Sequence, residues 1–86
     1  MHEFSLMSNL LSKIDQIVKD NNAEKAVKVK VTIGAMAHIS AEHFTEHFVH
    51  GTKGTVAEGA QLDVVMNEDE NDPHAAEILL ESVDVQ

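Results

Sequence analysis

Apolar residues recur along the first fifth of the chain with a helical period. Phe4, Met7, Leu10, Leu11, Ile14, Ile17 and Val18 are separated by steps of about three and four, while Ser5, Ser8, Lys13, Asp15 and Lys19 fill the other positions. The spacing predicts a helix over 4–20 that ends at Asn21-Asn22, residues that tolerate the left-handed conformation of a helix terminus. The pattern then changes period. In AVKVKVTI (26–33) Val27, Val29, Val31 and Ile33 alternate with Lys28, Lys30 and Thr32, the signature of a strand with one dry and one wet face. Gly34 closes it.

A second helix is predicted over about 41–50. Ser40 supplies an N-cap, Ile39 and Phe44 stand at the spacing of a hydrophobic staple, Ala41, Phe44 and Phe48 form the apolar stripe, and Gly51 reads as the residue just past the end. QLDVVM (61–66) reads as a strand with Leu62 and Val64 inward and Met66 in line with them. NEDENDPH follows without periodicity, with Pro73, and reads as an acidic loop. EILLESVDV (77–85) returns to strand character through Ile78, Leu80, Val83 and Val85, with a break in alternation at Glu81-Ser82 that fits a bulge or a helical stretch. The order α-β-α-β-β predicts an α+β fold: two helices on one face of a three-stranded mixed sheet, the Lys28/Lys30 face left in water, all 86 residues in a single domain.

Composition narrows the chemistry. The core must come from aliphatic residues, since there are three Phe and neither Trp nor Tyr. Six Lys, no Arg and fifteen acidic residues set a net charge of -9, which argues against nucleic-acid binding because affinity there needs phosphate-neutralising cations. The same acidity serves solubility or attracts cations or a basic partner. The absence of cysteine excludes disulfides, thiolate zinc sites and a cysteine nucleophile, and is compatible with a reducing compartment. No apolar run reaches the roughly 18 residues of a membrane span, and no basic segment precedes an apolar one as in a signal peptide. The expectation is a cytoplasmic protein without membrane or nucleic-acid partners.

Two clusters carry candidate chemistry. The first is MHE at the start. A free amine on Met1, the amide nitrogen of His2 and the His2 imidazole close adjacent chelate rings on one metal ion. Three coplanar nitrogens suit Ni(II) or Cu(II) in tetragonal coordination, with Glu3 as a fourth donor through its amide or carboxylate. The same residues also fit an ordinary helix start, with Glu3 favoured by the helix dipole. The second is His43, His47 and His50, at i, i+4 and i+7 with Glu46 between them, on one helix face. His43, Glu46 and His47 form a second candidate metal set; the same face also reads as a solvated surface that charges below about pH 6.5, or as a partner contact. His43-Phe44-Thr45-Glu46-His47 matches H-x-x-E-H, but no downstream acidic ligand is identifiable and 86 residues leave little room for a peptidase cleft. No nucleophile, phosphate loop or cofactor motif appears. His38 and His74 stand alone, and Asp69, Glu70 and Asp72 read as a solvated charge run, with weak, non-selective cation binding as the other reading.

MHEFSL, VKVKVTIGAMAHISAEHF, GTVAEGAQLDV and ILLESVDV together resemble the HypA/HybF family of hydrogenase nickel-incorporation proteins. Ile33-Gly34 stands where that family carries its IG pair, and Gly54-Thr55, Ala57-Glu58-Gly59-Ala60 and Leu62 where it carries GT-x-AEGA-x-L. The likeness covers about 1–66 and 77–86. It implies a nickel site at Met1, His2 and Glu3, delivery of Ni(II) in [NiFe]-hydrogenase and sometimes urease maturation, and action beside a HypB-type GTPase and the hydrogenase large subunit. The family inserts a zinc ribbon with paired Cys-x-x-Cys motifs between its last two strands. Here the acidic loop at about 67–76 takes that place, so structural zinc is not expected and coupling to the usual partners is in doubt. The alternative to a metallochaperone is therefore a zinc-less paralogue that acts as an interaction adaptor without metal; the open sheet edges also admit a homodimer.

Overall fold

The computed structural model describes residues 3–86, with side chains from Met7 onward. The elements follow in the predicted order: α1 (Glu3–Asp20), β1 (Ala26–Ile33), α2 (Ala41–Gly51), β2 (Gln61–Met66) and β3 (Ile78–Val85). The sheet order is β2-β1-β3, with β1 parallel to β2 and antiparallel to β3. A parallel pair cannot be joined by a hairpin, and α2 is the crossover that joins it.

Helix α1 buries Met7, Leu10, Ile14 and Val18, the stripe its periodicity predicts. It ends in a Schellman turn. Asn22 takes φ 53, the Ala23 N–H donates to the Val18 carbonyl at 3.0 Å, and the Asn22 N–H donates to the Lys19 carbonyl at 3.1 Å. In α2 the Ser40 Oγ accepts from the His43 N–H at 3.0 Å, and Phe44 and Phe48 are buried. Val29, Val31 and Ile33 of β1 close the core from below, with Ile39 and Ala57 at its margin.

Three details depart from the pattern. Val27 does not point inward: Ala26 pairs with Val85 and Lys28 with Asp84, so Val27 is the extra residue of a bulge and stays 37% exposed while Ala26 takes the buried place. Gly51 is not a residue beyond the helix but part of it. The helix ends at Thr52, in right-handed conformation, whose hydroxyl donates to the Phe48 carbonyl at 2.8 Å. A Cβ at Gly51 would meet Leu11 Cδ1 at 3.3 Å and Met7 Cγ at 3.6 Å, so α1 packs within a methyl group's reach of this position. Met66 reaches the end of the sheet beside Ile33 and is 45% exposed rather than enclosed. The break at Glu81-Ser82 is a bulge, since the register shifts there against Lys30 and Val31.

The wet face carries Lys28 between Gln61 and Asp84, and Lys30 between Asp63 and Ser82. The acidic segment after β2 folds back over the end of β1. There the Gly34 N–H donates to the Glu77 carbonyl at 2.9 Å and the Met36 N–H to the Ala75 carbonyl at 2.7 Å. A Cβ at Gly34 would stand 2.2 Å from the Ala75 carbonyl oxygen, so the Ile33-Gly34 pair marks a place where two backbones touch.

Candidate metal centre

Of the amino-terminal candidates, the structure describes only the backbone of Glu3, the first residue of α1. Met1 and His2 lie outside the described residues, as does the side chain of Glu3, whose backbone opens the helix. What the structure describes is the helix that begins at Glu3. Four residues on, Met7 lines a groove of about 280 Å³ with His47, His50 and Gly51 of α2. At about 1.5 Å per residue, Glu3 stands only about 6 Å along the helix axis from Met7. The described start of α1, at the Glu3 backbone, therefore lies within about two turns of the groove that His47 and His50 line.

On α2 the i, i+4 spacing brings His43 and His47 together. Their Nε2 atoms are 2.9 Å apart, and their rings lie with centroids 4.6 Å apart, tilted by 41°. The same helix turns Phe44 and Phe48 into the core, so its rotation about its axis is set by burial and the histidine face is held toward solvent. Glu46 is exposed on that helix, and among the described residues no group of three or more His, Asp and Glu side chains converges as a metal cage. His50 is exposed and belongs to the groove beside Met7. That groove has no signature in the sequence: Met7 reads there only as part of the core stripe, and the crossing of the two helices is a tertiary fact.

His38, exposed, takes φ 57 in the turn before α2. His74 Nδ1 and Glu77 Oε2 are 2.6 Å apart, and the hydrogen bond to that carboxylate, followed by its charge, holds the imidazole above the usual histidine range. The acidic run turns on its own backbone: Asp69 Oδ1 accepts from the Asn71 N–H at 2.9 Å, and Asp72 Oδ1 from the His74 N–H at 2.7 Å. Asn67 Nδ2 donates to Asp72 Oδ2 at 3.1 Å. These bonds give the carboxylates a structural role in the loop. No helix among the described residues is long and apolar enough to cross a membrane.

The chain is similar to the hydrogenase maturation factor HypA of Aquifex aeolicus (strain VF5), 39% identical over 62 residues, which are 72% of this chain and 54% of that protein. It is similar also to HypA of Xanthobacter autotrophicus, 36% identical over 69 residues, 80% of this chain and 60% of that one. The matches thus span about half to three-fifths of the length of these relatives. In fold it resembles the solution structure of the nickel metallochaperone HypA from Helicobacter pylori, with a TM-score of 0.79 and 22% identity over 99% of this chain and 97% of that one. A family model described as hydrogenase/urease nickel incorporation, metallochaperone, HypA matches residues 1–72. That match takes in most of the acidic loop and stops before β3, whereas the resemblance in the motifs skips the loop and includes β3. With five-sixths of its length matched from the first residue onward, the chain belongs to the HypA family.

Proposed function

We propose that this chain is a nickel-carrying accessory protein of enzyme maturation, without catalysis of its own. In a chain that starts unblocked at Met1, the terminal amine, the His2 amide and the His2 imidazole take one Ni(II) in tetragonal coordination, with Glu3 as the fourth donor. The observation that carries this reading is the family match that begins at residue 1 and so includes Met-His-Glu at its head. These donors must lose protons to bind, so affinity falls as the pH falls. The ion is cargo. A HypB-type GTPase and the large subunit of a [NiFe] hydrogenase, in the cytoplasm, are the partners the family suggests. A zinc ribbon is no part of this reading, since its cysteines are absent from the sequence. A second copy, pairing along the open edge of β2 or β3, is the further partner this reading admits, and sedimentation at two concentrations reads it.

Nickel titration of the untagged chain, of His2→Ala and of an amino-terminally extended form tests the proposal. The untagged chain should bind one equivalent tightly, and both altered forms should lose about tenfold or more of that tight affinity. Equal binding by all three would overturn the terminal site.

A further inference from the structure

We infer that His43 and His47 form a second metal site on α2, for a square-planar or octahedral divalent ion of the Ni(II) or Cu(II) kind, that binds without the terminal amine. The inference does not depend on the terminal site, and the two fail separately.

The geometry carries it. Two imidazole nitrogens bound to one ion at roughly 2.0–2.1 Å stand about 2.8–3.0 Å apart when they occupy adjacent corners of a square or octahedron. At the tetrahedral angle they stand about 3.3–3.4 Å apart. The observed Nε2 separation is 2.9 Å, the first of these. Both nitrogens come from one rigid helix, one turn apart, so little order has to be gained to bring them to an ion. The helix itself is pinned by its Ser40 cap and by Phe44 and Phe48 in the core. Both rings are exposed, so an ion enters and leaves without any opening of the fold.

The donor set decides what the site does. Two neutral imidazoles fill two corners of the coordination sphere and leave two or four to further donors. Such a site holds its ion loosely and exchanges it readily. The corner geometry favours Ni(II) and Cu(II) over tetrahedral zinc, and in the ordering of affinities Cu(II) stands highest.

A hydrogen bond between two neutral rings, one N–H donating to the other ring's nitrogen, would produce the same separation without any metal affinity. The experiment must distinguish the two. It uses the full chain with its terminus blocked by acetylation, which removes the terminal amine, and titrates NiSO4 and then CuSO4 against a competing indicator. The blocked chain should take up one equivalent. His43→Ala and His47→Ala should each weaken it by about tenfold or more, and His50→Ala should leave it unchanged. Zn(II) should bind the blocked chain more weakly than Ni(II). Broadening of amide resonances by paramagnetic Ni(II) should centre on residues 40–50, and the Cu(II) electron spin resonance should show two imidazole nitrogens. All three substitutions fall on exposed side chains, and far-ultraviolet circular dichroism verifies that the fold is kept. If the blocked chain binds nickel no better than its His43→Ala form, or if the Cu(II) spectrum shows a single nitrogen, the second site is wrong. Nickel binding by the unblocked chain alone would leave the terminal site standing and overturn this one.

Discussion

Replacing Gly34 by Ala puts the contact between the end of β1 and the acidic loop to the test. The added Cβ would lie 2.2 Å from the Ala75 carbonyl oxygen, 2.6 Å from its carbon and 2.7 Å from the His74 carbonyl oxygen. These are backbone atoms, so no rotamer change relieves the overlap. The loop must retreat by about 0.8 Å to restore even the 3.0 Å below which such contacts do not occur. The bonds from the Gly34 N–H to Glu77 at 2.9 Å and from the Met36 N–H to Ala75 at 2.7 Å run across the same gap and lengthen with it. Losing both costs about 1–3 kcal/mol. The smaller entropy of alanine in the unfolded chain returns about 0.4–1 kcal/mol, and residual overpacking takes about as much again. The net expectation is a loss of about 1–3 kcal/mol, or a melting temperature lower by about 4–8 °C for each kcal/mol. Urea unfolding followed by circular dichroism measures it, and amide exchange at Met36 localises it. Gly54→Ala is the comparison, because its Cβ meets nothing within 4 Å and only its φ of +79° resists substitution. It should cost about 1–2 kcal/mol while leaving Met36 protected. A Gly34→Ala protein within about 0.5 kcal/mol of the parent, with Met36 exchange unchanged, would refute the reasoning.

Gly51→Ala should go the other way. Helix propensity favours alanine by about 1 kcal/mol, and the nearest obstacle, Leu11 Cδ1 at 3.3 Å, is the movable end of a side chain, so thermal melting should show stability unchanged or raised by up to about 1 kcal/mol. A clear loss of stability would mean that α1 and α2 cannot shift by a few tenths of an ångström. His74 should titrate above the ordinary histidine value of about 6.5 in the parent and return toward it in Glu77→Gln, as read from its ring proton resonances. The folded-state value is the raised one, so the pair's contribution is complete below about pH 6.5 and disappears as the pH rises through the raised value. The stability difference between parent and Glu77→Gln should therefore be seen on the acid side and vanish on the alkaline side; a difference that grows with pH would contradict it.

Periodicity alone made the five elements and their order legible, because each buries one stripe or one face and the stripe is written in the spacing. Met7, Leu10, Ile14 and Val18, or Val29, Val31 and Ile33, need no partner to be recognised. The close pairing of His43 and His47 is of the same kind, since one helix turn separates them whatever surrounds the helix. Family membership was also in the residues, in Met-His-Glu, Ile33-Gly34 and the run from Gly54 to Leu62.

Tertiary structure decided what depends on a second segment of chain. Alternation assigns Val27 to the dry face, and only the register against Val85 and Asp84 expels it and buries Ala26 instead. Gly51 carries the spacing of a cap, yet it belongs to α2, and only the fold brings Met7 and Leu11 of α1 within a Cβ's reach of it. Gly34 closes its strand in either view, but the reason it must be glycine is a carbonyl forty-one residues later. The groove that sets Met7 beside His47 and His50 follows from the crossing of two helices. A chain records its own periodicities, whereas the distance between two segments is set by how their side chains share one volume, and that sharing exists only in the folded protein.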